Sequence, residues 1–147
     1  MAQVTATAER TIDAPAEQVA AAVADYQSVR PRILTDRYSE YRVEAGGQGA
    51  GSRVHWKLAA TEKRVRDQLV DVDVPELGTV VERDANSSMV TTWTVTSEGQ
   101  HRSTVRVTST WNGAGGIGGF FERTFAPRGL RKIYDGVLAN LDGAVRA

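Results

Sequence analysis

Polar and apolar side chains alternate along the stretch Ser52-Arg53-Val54-His55-Trp56-Lys57-Leu58. Successive side chains of a β-strand point to opposite faces of its sheet, so this period of two predicts a strand with one buried face. We assign Val54, Trp56 and Leu58 to the interior. The other face, which includes His55, is expected to meet water.

The same period of two continues through six consecutive segments. Their connectors are short and rich in glycine, proline and asparagine, which predicts tight turns between antiparallel neighbours. No crossover helix interrupts the series, which argues against a parallel Rossmann sheet. The six predicted strands cover residues 39–45, 52–60, 63–74, 78–84, 89–97 and 103–111.

A strand and two short helices are predicted before this series. Residues 3–12 are rich in threonine and alanine with one valine and read as a strand, and Pro15 suits the first turn of the helix that follows. That helix should end near residues 25–27, and a second helical piece is expected around Ile33. The apolar stripe of the first helix consists of Val19, Val23 and Tyr26.

Apolar residues three and four positions apart predict a long helix at the end of the chain. Pro127 and Gly129 interrupt the pattern, so residues 117–125 are expected to form a separate or kinked turn. The stripe consists of Leu130, Ile133, Tyr134, Val137, Leu138, Leu141 and Val145.

Composition and charge argue against several classes of function. The 147 residues predict one domain, 1–147, and the 18 basic and 18 acidic residues give no net field to attract nucleic acid. With no cysteine and two isolated histidines, we expect no metal and no cofactor. No apolar run suits a signal sequence or a membrane span, so a cytoplasmic protein without membrane insertion is expected.

Two further motifs do not predict chemistry. Gly113, Gly115 and Gly118 match the spacing of a dinucleotide-binding loop, but the acidic residue and the parallel strand that should follow are missing. Asp71 and Asp73 alternate with valines, which places both carboxylates on a face exposed to water.

The order of elements resembles the START-like (SRPBCC) superfamily, which includes plant allergens, lipid-transfer domains and polyketide cyclase/dehydrase-like proteins. Three stretches carry the resemblance: Thr11-Ile12-Asp13-Ala14-Pro15-Ala16-Glu17-Gln18-Val19, Gly49-Ala50-Gly51-Ser52-Arg53-Val54-His55-Trp56, and the terminal helix with Phe120-Phe121-Glu122-Arg123. It implies an α+β helix-grip fold, in which a curved antiparallel sheet of about seven strands wraps around a long C-terminal helix. Two short helices would lie between strands 1 and 2.

The resemblance also implies an apolar cavity between the sheet and the terminal helix. Strand alternation and the helical stripe then give its expected lining. Among these residues, Tyr41, Thr91, Ser109 and Tyr134 are the polar groups suited to orient a ligand. The full candidate set is Tyr41, Val54, Trp56, Leu58, Thr91, Trp93, Val95, Val107, Ser109, Phe121, Tyr134 and Leu138.

The leading functional hypothesis is the binding or carriage of a small hydrophobic molecule, such as a lipid, a polyketide-like aromatic or an isoprenoid, with no catalytic residue. One alternative is a cyclase or dehydratase that uses Tyr41, Ser109 and Tyr134. Another is a protein-interaction module with a basic surface at Arg123, Arg128, Arg131 and Lys132. The glycine-rich segments 46–51 and 113–119 are expected to move and to gate the cavity.

Overall fold

Seven antiparallel strands form one sheet within the residues that the computed structural model describes, namely 2–61, 64–113 and 127–146. Consecutive strands from the second to the seventh pair as a meander, and the first strand pairs with the seventh, which gives the order β1-β7-β6-β5-β4-β3-β2. The strands are β1 (Ala2–Ile12), β2 (Tyr38–Ala45), β3 (Arg53–Thr61), β4 (Arg64–Glu76), β5 (Thr79–Asp84), β6 (Val90–Ser97) and β7 (Ser103–Gly113).

Three helices cover the interior face of the sheet in the described part of the chain. They are α1 (Ala16–Val23), α2 (Arg30–Ile33) and the long α3 (Pro127–Arg146). Every residue of the predicted stripe on α3 is buried, because this face packs against β1 and the two short helices. The α+β helix-grip fold predicted from the sequence is confirmed.

The first helix ends earlier than the sequence pattern predicts. Its last residue is Val23, and the Asp25 carboxylate accepts hydrogen bonds from the backbone N–H groups of Gln27 and Ser28. An aspartate that binds nearby backbone N–H groups favours a turn over continued helix. Tyr26 therefore lies beyond the helix and is fully buried.

Backbone hydrogen bonds join the 46–51 loop to this turn. They argue against the mobile gate that was expected at this loop. The backbone N–H of Tyr26 donates to Gly47 O at 2.9 Å, and Gly49 N–H donates to Ala24 O at 2.9 Å. Gly46, with φ of 68°, adopts a left-handed backbone conformation that only glycine reaches without strain. The expected second gate segment, 113–119, lies outside the described residues except for Gly113.

A buried carboxylate joins α3 to the first strand. Asp142 accepts hydrogen bonds from Arg10 Nε at 2.8 Å and from Arg146 Nε at 2.6 Å. Because Arg10 belongs to β1, this pair fixes the last turns of α3 against the edge of the sheet. Among the described helices, none has the length and apolar character that crossing a membrane requires.

We expect Leu141→Ala to lower the free energy of unfolding by about 2–5 kcal/mol, because it leaves a cavity where α3 meets the sheet. Leu141 is fully buried, whereas Leu77 is 92% exposed, so Leu77→Ala is the matched control and should change stability by less than about 0.5 kcal/mol. Urea unfolding measures both values. Equal effects of the two substitutions would contradict this packing of α3.

Candidate ligand cavity

A small enclosed cavity lies between the sheet and helices α2 and α3. Its volume is about 20 Å³, which is room for about one water molecule. Aromatic walls are supplied by Tyr38, Trp56, Trp93 and Tyr134, and aliphatic walls by Leu34, Val70, Met89 and Val137. The polar lining residues are Arg30, Gln68, Glu82, Asp84 and Thr91.

A buried ion pair dominates the polar side of this cavity. Arg30 on α2 is 2% exposed and Glu82 on β5 is 3% exposed, and Arg30 Nη1 lies 2.7 Å from Glu82 Oε2. The Tyr26 hydroxyl also donates to Glu82 Oε2, and Trp93 Nε1–H donates to Glu82 Oε1 at 3.2 Å. The carboxylate is therefore matched by one cation and two neutral donors.

Aromatic rings enclose the Arg30 guanidinium. Its central carbon lies 4.5 Å from the ring centroid of Tyr26 and 4.7 Å from that of Trp93, which are cation–π distances. Burial acts to lower the pKa of Arg30, but the Glu82 carboxylate outweighs it and the pKa is raised, so the guanidinium stays charged. Burial, followed by the charge of Glu82, raises the pKa of Tyr26 and keeps its phenol protonated as a donor.

Three hydroxyl groups form a second polar cluster. Thr91 Oγ1 lies 2.6 Å from Ser109 Oγ, which lies 2.5 Å from Tyr134 Oη, so strands β6 and β7 meet α3 through a chain of hydrogen bonds. Burial raises the pKa of Tyr134, although its hydrogen bonds to Ser109 and Thr91 act in the opposite direction. At neutral pH the Tyr134 phenol therefore keeps its proton.

The third polar group is built around Trp56. Its Nε1–H donates to Gln68 Oε1 at 2.7 Å, and Gln68 Nε2 contacts Met89 Sδ at 3.1 Å. Tyr41 stacks on the indole with an interplanar angle of 3°, and Tyr38 meets it edge-on. These contacts hold the Trp56 ring in one orientation at the cavity wall.

Four of the twelve candidate residues line the cavity, namely Trp56, Thr91, Trp93 and Tyr134. Ser109 is buried one hydrogen bond away from it. Val54, Leu58, Val107 and Leu138 are buried in the surrounding core without lining the cavity. Whether any of these residues contacts a ligand stays a prediction.

The other three candidates lie elsewhere. The Tyr41 hydroxyl donates to the backbone oxygen of Tyr26 at 2.5 Å. Val95 is half-buried and borders a separate groove beside α1, together with Val74 and Leu77. Phe121 lies outside the described residues.

The cavity is more polar than the sequence interpretation predicts. The predicted lining contained hydroxyl groups but none of the buried residues Gln68, Glu82 and Asp84. The alternation that buries Val80 also turns Glu82 and Asp84 inward, and the alternation that buries Val70 turns Gln68 inward. The alternation within strands β4 and β5 therefore indicates that these three polar side chains face inward. No such signal marks Arg30, because its partner lies 52 residues away in the sequence.

Outside the cavity, His55 is less exposed than predicted. Its side chain is 13% exposed, since Nε2 contacts the Asp67 carboxylate of the neighbouring strand and Nδ1 lies 3.2 Å from Glu40 O. Asp71 and Asp73 are exposed, as the alternation predicts. In the described part of the chain no three histidine or acidic side chains are grouped to hold a metal ion.

We expect Arg30→Met and Glu82→Leu each to lower the free energy of unfolding by about 3–5 kcal/mol, because each leaves a buried charge without its partner. The double variant should lose less than either single variant, since both charges are then removed. Urea unfolding of the three variants gives the coupling energy.

The matched control for this cycle is Arg106→Met, which breaks an exposed pair with Glu9. Its cost should be about 1 kcal/mol or less. If the double variant lost as much free energy of unfolding as the two single variants lose together, the buried pair would not be coupled as its geometry indicates.

Comparison with known proteins identifies the family of this chain. Residues 2–146 match the model of the family described as polyketide cyclase / dehydrase and lipid transport. The solved structure of a protein named KanY is 53% identical over 100% of both chains, with a TM-score of 0.90. No curated protein matches the sequence.

Two more distant structures share the fold. Zhui aromatase/cyclase from a Streptomyces species is 13% identical over 99% of this chain and 94% of its own, with a TM-score of 0.76. A START superfamily protein from Mycobacterium smegmatis is 12% identical over 98% and 97%, with a TM-score of 0.69. Because the family model matches residues 2–146, the chain belongs to the polyketide cyclase / dehydrase and lipid transport family, as the resemblance of its sequence to START-like proteins implies.

Proposed function

We propose that this protein binds a small, largely apolar molecule, such as a lipid, a polyketide-like aromatic or an isoprenoid, in the cavity between the sheet and α3. One observation carries the proposal: aromatic walls and several buried polar groups converge on a single enclosed space. Ligand sites commonly combine these two features, with the apolar wall giving affinity and the polar groups giving orientation.

The cavity must enlarge to accept such a molecule. Its 20 Å³ is far below the roughly 300–1,000 Å³ of ordinary ligand sites. Met89 can move to enlarge the cavity, because its unbranched side chain adopts several shapes. The contact of its sulfur with Gln68 Nε2 is weak and costs little to break. Burial of apolar surface at about 25 cal/mol per Å² then favours the ligand.

The comparisons support a site of this kind without identifying its occupant. The family description includes lipid transport, and Zhui is named as an aromatase/cyclase. Both descriptions involve molecules with large apolar surfaces, which agrees with the aromatic walls of the cavity.

A ligand in the cavity is expected to shift the indole N–H signals of Trp56 and Trp93 in ¹H–¹⁵N NMR spectra. Trp111 is buried outside the cavity lining and serves as the internal control. The probes are a medium-chain fatty alcohol, a substituted naphthalene and geraniol. If none of them moves the first two signals more than the third, the proposal is wrong.

The same titration with Val70→Leu should show weaker binding, because the added methylene fills space at the cavity wall. Val65→Leu is the matched control on the same strand, since Val65 is 57% exposed. Affinities that are equal in both variants would place the ligand elsewhere.

A cyclase or dehydratase is the second candidate, and one observation favours it. Ser109 and Tyr134, two of the three residues considered for such chemistry, are in hydrogen-bond contact, while Tyr41 lies apart. A protonated phenol held by a hydroxyl chain can donate a proton to the hydroxyl group that leaves as water, and the resulting phenolate can accept the α-proton that the substrate loses as its C=C bond forms.

On an aryl β-hydroxyketone, this candidate predicts loss of water that Tyr134→Phe slows by about 10²–10⁴-fold. Thr11→Val, the control, removes an exposed hydroxyl group away from the cavity and should leave the rate unchanged. Ultraviolet absorbance of the conjugated product follows the reaction. A rate equal to that without protein would exclude this activity for the substrate tested.

A further inference from the structure

Two donors of the cavity lack a good hydrogen-bond partner, whereas the carboxylate oxygens all have one. This difference bears on which ligand the cavity binds. The inference rests on the proposed function and narrows it to one chemical class. It depends on four side chains that line the cavity: Arg30, Gln68, Glu82 and Asp84.

One nitrogen of the Arg30 guanidinium lacks a hydrogen-bond partner among the described residues. Nη1 donates to Glu82, Nη2 donates to Val23 O at 3.1 Å, and the two faces of the guanidinium are covered by aromatic rings. The Nε–H group is buried and has no hydrogen-bond partner among the described residues. An unpaired buried donor lowers stability, so such a group usually has a hydrogen-bond partner, which can be a water molecule or a ligand.

Gln68 has a donor that is only weakly satisfied. Its oxygen accepts from Trp56 Nε1–H at 2.7 Å, which orients the amide. The Nε2 group then faces Met89 Sδ at 3.1 Å, and a thioether sulfur is a weak acceptor. A stronger acceptor would therefore gain a better hydrogen bond at this position.

The carboxylates, in contrast, have no oxygen without a partner. Both oxygens of Glu82 accept hydrogen bonds from Arg30, Tyr26 and Trp93. Asp84 Oδ1 accepts from the backbone N–H groups of Leu69 and Asn86, and Oδ2 accepts from Ser87 Oγ at 2.7 Å. Each carboxylate thus accepts three hydrogen bonds, out of about four that its two oxygens can accept, so a donor on the ligand would gain less here than an acceptor gains at the unpaired Arg30 Nε–H.

We propose that the cavity selects a ligand with a neutral carbonyl oxygen, which accepts hydrogen bonds from Arg30 Nε–H and Gln68 Nε2–H. A carboxylate is disfavoured because Glu82 already balances the charge of Arg30, and a second negative charge would be buried without a partner. The space that holds one water also holds a carbonyl oxygen.

The test compares three ligands of nearly equal shape: 1-tetralone, tetralin and the carboxylate 1,2,3,4-tetrahydro-1-naphthoate. Dissociation constants come from the Trp56 and Trp93 indole signals. For the unaltered protein we expect the ketone to bind about 10-fold more tightly than tetralin, the worth of about one net hydrogen bond. The carboxylate should bind more weakly than the ketone.

Two variants test whether the preference for the ketone over tetralin depends on the donors of Arg30 and Gln68. Arg30→Lys keeps a cation for Glu82 but has no Nε–H, and Gln68→Met keeps the length of the side chain without the amide. Each should reduce the ketone preference to about 3-fold or less while leaving tetralin affinity within about 2-fold. Arg128→Lys, at an exposed position on α3, is the control and should keep the full preference.

The outcomes separate the two proposals. Equal affinity for ketone and tetralin overturns the carbonyl inference and leaves the binding function in place. Tighter binding of the carboxylate also overturns it, as does a preference that persists in both cavity variants. Absence of binding for all three ligands overturns the inference and the binding of aromatic molecules together.

Discussion

The buried ion pair between Arg30 and Glu82 is the interaction on which the arrangement of the cavity depends. It joins the four-residue helix α2 to the middle of the sheet, and the residues that surround it, Tyr26 and Trp93, belong to two further segments. Replacing such a pair with apolar residues is often neutral or stabilising, so its presence in the core is weak evidence of a stabilising role. Its position at the cavity wall agrees with the proposed role in orienting a ligand.

A surface loop takes part in placing this pair. The left-handed glycines of the 46–51 loop bring Gly47 O to the backbone N–H of Tyr26, and the phenol of Tyr26 then reaches Glu82. Tyr41 adds a hydrogen bond to the backbone oxygen of Tyr26 while its ring stacks on Trp56. Two of the three polar groups, the ion pair and the Trp56 group, are thus positioned through Tyr26, which no element of regular structure contains.

Most of the fold could be predicted from the sequence, because strand alternation and the α3 stripe report directly which face of each element is buried. The site could be predicted only in part. Trp56, Trp93 and Thr91 follow from strand alternation and Tyr134 follows from the α3 stripe. Glu82 and Gln68 lie on the inward side of their strands by the same alternation, but neither was included in the predicted lining. Arg30 could not be found, since a four-residue helix has no period and its partner is distant in the chain. Val95 lies on the inward side of β6, but α1 covers that end of the strand.

The pairing of the first strand with the seventh has a consequence for how the chain acquires its structure. Ala2 pairs with Gly113 and Ile12 with Ser103, so every contact along this ladder closes a loop that contains most of the sheet. Closing so long a loop is entropically costly, and folding is slow when such contacts dominate. During synthesis β1 leaves the ribosome first and stays without a partner until β7 has emerged. Strands β2 to β7 can pair with one another as each is synthesised. The pairing of β1 with β7, together with the packing of α3 against β1, is therefore expected to be the last step of folding.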